Sequence, residues 1–473
     1  MKEDFTQERH YGWIIWLSIL AVLILGVGIF FYYTFFRQTK SELIEAVPTD
    51  AQFIFEINDN KTFNQNIKNL SVYFNEAFSL ESLPAYQTIH HKLPNKKENY
   101  FLTISGHPSD NGSKILYNTH IDKASFKKLL HTLSIDPANF TSFEQYKIYT
   151  YGTNFKSMKF AYFNQILTIS DDIELVKKAL IQHTHPKNLL SDDTFKEIYQ
   201  LSTKNIKQNW LIINNREYGK SISSLFTGDV ISSIKKDSRI SKWSAFQLRV
   251  SKNELFLSGY MRISGDSALT MKRVKHIQVP ETFMPFATEW YHHRNYQDWS
   301  TCHFSVAADS SKHHEYLVLL QDSLHKSFVP FGNQAKADEL RNNYPSGIYP
   351  VTDSTFSGRA ATEFKAYAFF IERDGNYLFV PSEEALTYYT KAMTQNGSIT
   401  ENRFYKFSQN NVASKDIEEF CYYNFNSESS PQVIFSAKGK GYHLAKDLTI
   451  LSVSCTDINN DYAAINLYLS FEK

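Results

Sequence analysis

The most chemically suggestive stretch of the sequence is rich in histidine. Between residues 292 and 325 it contains Cys302 and six histidines: His292, His293, His303, His313, His314 and His325. Zinc and copper favour imidazole and thiolate ligands, so His303, His313 and His314 are the candidate metal ligands, and the stretch is a candidate centre for a metal-dependent hydrolase. Adjacent histidines on a strand face opposite sides, however, and ordinary surface histidines are the simpler interpretation. We therefore predict no bound metal and no cofactor.

Familiar catalytic motifs do not occur elsewhere in the sequence. It has no phosphate-binding loop, no His-Glu-x-x-His, no Gly-x-Ser-x-Gly and no EF-hand loop. Ser-x-x-Lys occurs at Ser125–Lys128 and Ser232–Lys235, as in penicillin-binding enzymes, and Ser-Asp-Asn occurs at residues 109–111. In those enzymes Ser-Asp-Asn follows Ser-x-x-Lys, but here it precedes both Ser-x-x-Lys pairs. The third motif of those enzymes, Lys-[Ser/Thr]-Gly, is missing from the sequence. The sequence therefore gives no catalytic or cofactor-binding residue.

Residues 13–36 form an apolar run, WIIWLSILAVLILGVGIFFYYTFF, without Asp, Glu, Lys, Arg or His. A helix of this length is ~36 Å long, and a bilayer's hydrocarbon core is ~30 Å thick. Aromatic residues that favour the headgroup zone lie near its two ends: Trp13, Trp16, Tyr32 and Tyr33. A cleaved signal peptide is the alternative, but its apolar core is shorter and is followed by small residues. We predict a single transmembrane helix at 13–36, with the lipid bilayer as its partner.

The orientation of this predicted anchor rests on its flanks. Lys2 and Arg9 precede it, and Arg37 and Lys40 follow it, so the counts of basic residues are equal. A short tail before a single anchor usually stays in the cytoplasm. We predict a cytoplasmic tail at 1–12, a spacer at 37–46 and an extracytoplasmic remainder, in a bacterial inner membrane facing the periplasm.

Composition narrows the possible partners and the compartment. Hydrophobic residues make up 42% of the chain and charged residues 21%, which is typical of a folded globular protein. The net charge of +1 leaves no positive excess to neutralise phosphates, so nucleic acid is not an expected partner. Three cysteines, Cys302, Cys421 and Cys455, exclude a disulfide scaffold. Cys421 and Cys455 either pair or are free buried thiols.

Strand and helix patterns recur in the same order along the chain and indicate an internal repeat. FKSMKFAYF from Phe155 is echoed by FKAYAFFIE from Phe364, and the strand-to-helix segment from Asn164 by the one from Asn376. Repeat domain A is predicted at 47–263, a linker at 264–278 and repeat domain B at 279–473. Many short adjacent strands interspersed with helical patterns favour an α+β class, with antiparallel sheets and helices packed on a face.

A Val-Pro-x-Asp-Ala segment at Val47–Ala51 follows the predicted anchor and precedes a long aromatic-rich region. In this the chain resembles uncharacterised bacterial cell-envelope proteins that carry a domain of unknown function. The resemblance implies an envelope location and brings no catalytic residues with it.

We accordingly predict a membrane-anchored, extracytoplasmic protein that binds or scaffolds an unknown envelope protein or ligand without catalysis. The alternatives are the metal-dependent hydrolase of segment 292–325 and a subunit of a membrane complex. A pocket with converging His, Asp or Glu side chains would favour the hydrolase, and a large exposed apolar patch would favour the subunit.

Overall fold

The structure is a computed structural model of the full chain. It describes residues 42–59, 101–109, 112–152, 157–185, 187–203, 208–217, 242–251, 253–262, 281–295, 299–307, 313–321, 334–351, 366–373, 376–410, 419–425, 448–459 and 462–471, with residues 61–63, 65 and 92. The account below concerns these residues.

Antiparallel strands dominate this part of the chain. The strands β1 to β19 occupy, in chain order, Phe53–Ile57, Leu102–Ser109, Gly112–His120, Thr141–Phe143, Tyr146–Tyr151, Met158–Phe163, Ile166–Ser170, Trp210–Asn214, Trp243–Val250, Glu254–Arg262, Thr288–Asn295, Trp299–Ala307, His313–Gln321, Ile348–Pro350, Phe369–Arg373, Asn376–Val380, Glu419–Asn424, Ile450–Asn459 and Tyr462–Ser470. The helices α1 to α6 occupy Lys123–Thr132, Ile173–Thr184, Asp193–Thr203, Gln334–Asn343, Glu383–Asn396 and Arg403–Asn410. Short 3-10 helices lie at Leu43–Ala46, Leu189–Ser191, Glu281–Phe283 and Ile399–Glu401.

The strand pairings define one continuous 19-stranded sheet. Its spatial order is β4-β5-β6-β7-β3-β2-β1-β8-β9-β10-β19-β18-β17-β11-β12-β13-β16-β15-β14, and every neighbouring pair is antiparallel. Followed outward from the central pair, β10 and β19, the described strands have the same order of neighbours in both halves, except that the first half has one more strand, β4, at its outer end. The predicted linker, residues 264–278, lies outside the described residues, and the predicted domain boundaries stay predictions.

A central seam joins the two halves of the sheet. Strand β10 pairs with β19 along its whole length, from Glu254 opposite Ser470 to Arg262 opposite Tyr462. Each strand would otherwise present a row of unpaired backbone N–H and C=O groups at a sheet edge. The seam satisfies these groups by pairing strands that lie far apart in the sequence.

This architecture corrects the predicted fold class. The predicted fold class, two related α+β domains with helices packed on a face of their sheets, is wrong, because the described residues form one mainly antiparallel sheet with few helices. Alternating apolar residues in β10 and β19 indicate two strands, but they do not show that these strands pair with each other. Across the described ranges no helix is both long and apolar enough to cross a membrane. Residues 13–36, with Trp13, Trp16, Tyr32 and Tyr33, lie outside those ranges.

In the first half of the sheet, helices α2 and α3 cover one face. Asp172 caps the N-terminus of helix α2, and its carboxylate accepts hydrogen bonds from the backbone N–H groups of Glu174 and Leu175 at 2.7 and 3.2 Å. Helix α3 buries Phe195 and Ile198 in a core that also contains Ile44, Ile54, Trp210, Ile212 and Trp243. The sheet face beneath these helices is therefore removed from water.

The opposite face of the same strands carries the largest core. Phe53, Phe55 and Ile57 of β1 lie there with Phe126 and Leu129 of helix α1. Residues near the seam extend the same core into the second half: Leu255, Leu257, Phe425, Leu448 and Phe471. Both faces of β1 are therefore buried, and this is unusual for an antiparallel strand.

Candidate functional site

Strand β1 places one carboxylate under the helical layer. Alternation puts Phe53, Phe55 and Ile57 on one face, and Ile54 and Glu56 on the other, towards helix α3. In register, Glu56 lies opposite Thr103 of β2 and opposite Trp210 of β8. The Thr103 hydroxyl donates a long hydrogen bond of 3.5 Å to Glu56 Oε1.

A cavity of about 280 Å³ opens beside Glu56, and we call it the Glu56 pocket. Its lining combines acidic, neutral polar and apolar side chains from the 3-10 helix, three strands and helix α3: Glu42, Leu43, Glu56, Ile57, Asn58, Phe101, Leu102, Thr103, His120 and Tyr199. Glu42 and Phe101 are exposed and form the rim. Lysine and arginine do not occur among these described lining residues. The pocket therefore has an acidic character.

Burial and like charge act together on the carboxylates of this pocket. Burial, followed by repulsion from Glu42, raises the pKa of Glu56 from 4.5 to about 7, although the Thr103 hydroxyl opposes the shift. Burial and repulsion from Glu45 also raise the pKa of Glu42, while a hydrogen bond with Tyr199 opposes this. Desolvation and the neighbouring carboxylates raise the pKa of Tyr199 well above its usual range, so its hydroxyl stays protonated. At neutral pH Glu56 is thus poised between its acid and its carboxylate.

A row of buried polar groups continues from the pocket across the sheet. Thr103 lies opposite Asn118 of β3, and Asn118 lies opposite Thr168 of β7. Asn118 is fully buried, and within the described residues neither its amide nitrogen nor its oxygen has a hydrogen-bond partner. The same is true of the indole N–H of buried Trp210, on the other side of Glu56. Unpaired buried groups of this kind are costly, and they mark a polar site that the described protein atoms leave incomplete.

A second polar arrangement lies further along the same face of β2. His107 Nδ1 is 2.7 Å from Asp50 Oδ1, and His107 Nε2 is 2.9 Å from Ser105 Oγ. Lys178 Nζ of helix α2 donates to the other oxygen of Asp50 at 2.9 Å. This connectivity resembles that of a serine–histidine–aspartate triad.

Burial prevents this arrangement from acting as a triad. Ser105 exposes none of its surface and His107 only 2%, so a substrate carbonyl cannot reach the hydroxyl. Burial lowers the pKa of His107 despite the nearby carboxylate, so the imidazole is neutral. The neutral ring donates from Nδ1 to Asp50 and accepts from Ser105 at Nε2. Hydrogen bonds from His107 and Lys178 outweigh burial and hold the pKa of Asp50 well below its usual range. The network fixes the segment Val47–Ala51 to the sheet.

The candidate histidine ligands do not converge. His303 is exposed on β12, and His314 is half-buried on β13 beside the ring of Tyr388, at 5.7 Å between centroids. Their registers, His303 opposite Leu317 and His314 opposite Val306, put the two histidines on opposite faces of the sheet. His313 lies opposite Ala307, which is ~13 Å along β12 from His303 at ~3.3 Å per residue. In the described ranges no group of three or more His, Cys, Asp and Glu side chains could hold a metal ion.

Sequence reasoning did not identify the residues of the Glu56 pocket. One signal was available, because Glu56 is the only charged residue in the strand FIFEI and a lone charge in a buried strand often marks a site. This signal did not show that the 3-10 helix and α3 cover this face.

Comparison with known proteins adds no family. No protein-family model matches the chain, and no curated protein matches it. Among solved structures, crystal form III of TP0453 is similar with a TM-score of 0.25 and 11% identity, over 51% of this chain and 83% of that chain. Crystal form I of TP0453 gives a TM-score of 0.26 and 9% identity, over 50% and 81%. Likeness at this level carries no argument about fold or function.

Proposed function

We propose that this chain is a non-enzymatic binding protein of the cell envelope, and that its ligand occupies the Glu56 pocket. The observation that carries the proposal is the 280 Å³ cavity, in which two carboxylates and several apolar side chains line one space. Small-molecule sites are concave, mostly apolar and furnished with a few polar groups that fix orientation. The pocket has this composition.

Binding fits the geometry better than catalysis does. Glu56 is hydrogen-bonded to Thr103 and Glu42 to Tyr199, and these partners hold the carboxylates in place. The Ser105 network is closed to substrate.

A fragment screen on the full chain tests the binding function. Small compounds detected by saturation-transfer NMR are expected to bind the wild-type protein and to bind Phe101→Ala more weakly, because Phe101 lines the pocket with 39% of its surface exposed. Tyr260→Ala is the matched control, since Tyr260 is an equally exposed aromatic residue on β10 that does not line the pocket. Fragments that bind both variants equally, or no fragment binding at all, would overturn the proposal.

The envelope location has separate support and a separate test. It rests on the resemblance carried by Val47–Ala51 to bacterial cell-envelope proteins. We expect the exposed Lys127 and Lys128 of helix α1 to react with a membrane-impermeant amine reagent in cells whose outer barrier has been opened. Labelling that appears only after complete lysis would contradict an extracytoplasmic position.

A further inference from the structure

The electrostatics of the Glu56 pocket select for a positive ligand. The titratable groups that face it or its carboxylates are Glu42, Glu45, Glu56, His120 and Tyr199. Two of the lining residues carry carboxylates, one at the rim and one inside, and no described lysine or arginine lies among the lining residues to neutralise them. A cation placed between them relieves their mutual repulsion, because an opposite charge favours the ionised form of both.

Independent of these charges, buried polar groups beside the pocket lack partners. Trp210 and Asn118 flank Glu56 and Thr103 in one row across four neighbouring strands. Both are at least nine-tenths buried, and the indole N–H of the first and the amide of the second make no hydrogen bond within the described residues. Neither residue lines the pocket, so water buried beside the ligand site, and not the ligand itself, would satisfy these groups.

Size and wall chemistry distinguish an organic cation from a metal ion. A cavity of 280 Å³ is several times larger than the ~30 Å³ that one water molecule occupies. Leu43, Ile57, Leu102 and Phe101 supply apolar wall, which a bare ion would not use. Phe101 and Tyr199 also offer aromatic rings, whose faces attract ammonium groups.

We propose that the Glu56 pocket binds a small organic cation through an ammonium group held between Glu42 and Glu56. The hydrocarbon part of the ligand contacts Leu43, Leu102 and Phe101. This inference rests on the proposed binding function and specifies its ligand class.

Binding of such a cation is coupled to a proton. The ammonium group prefers the ionised carboxylate, and Glu56 in the empty pocket is half-protonated near pH 7. Below that pH the ligand must displace a proton, so affinity falls until it reaches that of the pocket with protonated Glu56, which we expect to be about tenfold weaker, as for Glu56→Gln. Above it Glu56 is already ionised and affinity is constant.

Calorimetry on the full chain tests the proposal with three probes: phenethylamine, the neutral phenethyl alcohol and calcium chloride alone. We expect the amine to bind the wild type at pH 8. Its affinity should be about tenfold weaker for Glu56→Gln and for Glu42→Gln at that pH, and about tenfold weaker for the wild type at pH 5. Glu144→Gln is the matched control, because Glu144 is exposed in the turn between β4 and β5 and does not line the pocket. Its affinity should change less than about twofold.

The outcomes separate the two proposals. Equal binding of the amine and the alcohol, or tighter binding of calcium than of the amine, overturns the organic cation while leaving a binding pocket. No binding of any fragment or probe overturns the binding function as well. Glu42 is exposed at the rim, so Glu42→Gln keeps the test valid if Glu56→Gln does not fold.

Discussion

Replacing Glu56 with glutamine should stabilise the fold at alkaline pH. Glutamine keeps the shape of the side chain and the acceptor for the Thr103 hydroxyl, but it cannot ionise. In the wild type, the pKa of Glu56 is about 7 in the folded state and about 4.5 in the unfolded chain. Ionisation of Glu56 therefore favours unfolding whenever the pH exceeds 4.5. The full effect at pH 8 is about 3 kcal/mol, at about 1.4 kcal/mol per pH unit. Partial exposure of Glu56 reduces the expected gain to about 1–3 kcal/mol.

The pH dependence identifies the cause. A raised folded-state pKa contributes stability that is fully present below pH 4.5 and is lost as the pH rises through about 7. Urea unfolding of the full chain at pH 4 and pH 8, followed by circular dichroism, should therefore show a gain for Glu56→Gln only at pH 8. Glu144→Gln, a change at an exposed turn on β4–β5, should leave stability unchanged at both. A variant that is no more stable at pH 8, or that gains equally at both pH values, would refute the reasoning.

Three further substitutions test other parts of the structure by the same urea assay. His107→Gln should lose less stability than the wild type as the pH falls below 6.5, since the depressed folded-state pKa of His107 makes its protonation favour unfolding; an identical pH dependence of the two proteins would contradict this. Gly259→Ala should cost about 1–3 kcal/mol, because its Cβ would lie 1.9 Å from the carbonyl oxygen of Ala245 on β9; a neutral effect would show that β9 and β10 separate easily. Asp192→Ala should lower the free energy of unfolding by about 1–2 kcal/mol at neutral pH. It removes the acceptor for the backbone N–H groups of Thr194 and Phe195 at the start of α3, and the ion pair with Lys242. The loss should shrink as the pH falls from 3.8 towards about 2, because the wild-type carboxylate is then protonated.

Local elements were predictable from local patterns. The alternation of the apolar residues Phe53, Phe55 and Ile57 is enough to predict the strand Phe53–Ile57. Asp171 and Asp172 are typical of a helix start, and helix α2 begins one residue after Asp172. These features depend on neighbours within a few residues, so the sequence pattern contains them.

Long-range features were not predictable in this way. Strands β10 and β19 pair at the seam, but other strands of the chain have a similar alternation of apolar residues. The local sequence pattern therefore does not specify which strand pairs with which. The Glu56 pocket depends on how the 3-10 helix Leu43–Ala46 and α3 cover the second face of β1. The histidine stretch suggested a metal centre by composition alone, and strand register places His303 and His314 on opposite faces.

The seam has a consequence for how the chain folds during synthesis. Ser258 of β10 and its partner Asn466 of β19 are 208 residues apart. At about 5–20 residues per second, the ribosome takes roughly 10–40 s to make the intervening chain. During that interval β10 can pair with β9, but its other edge has no native partner and offers free backbone groups to neighbouring nascent chains. Co-translational folding of this protein thus includes an exposed-edge stage that ends only when β19 arrives, and holding chaperones that act on strand edges would act at this stage.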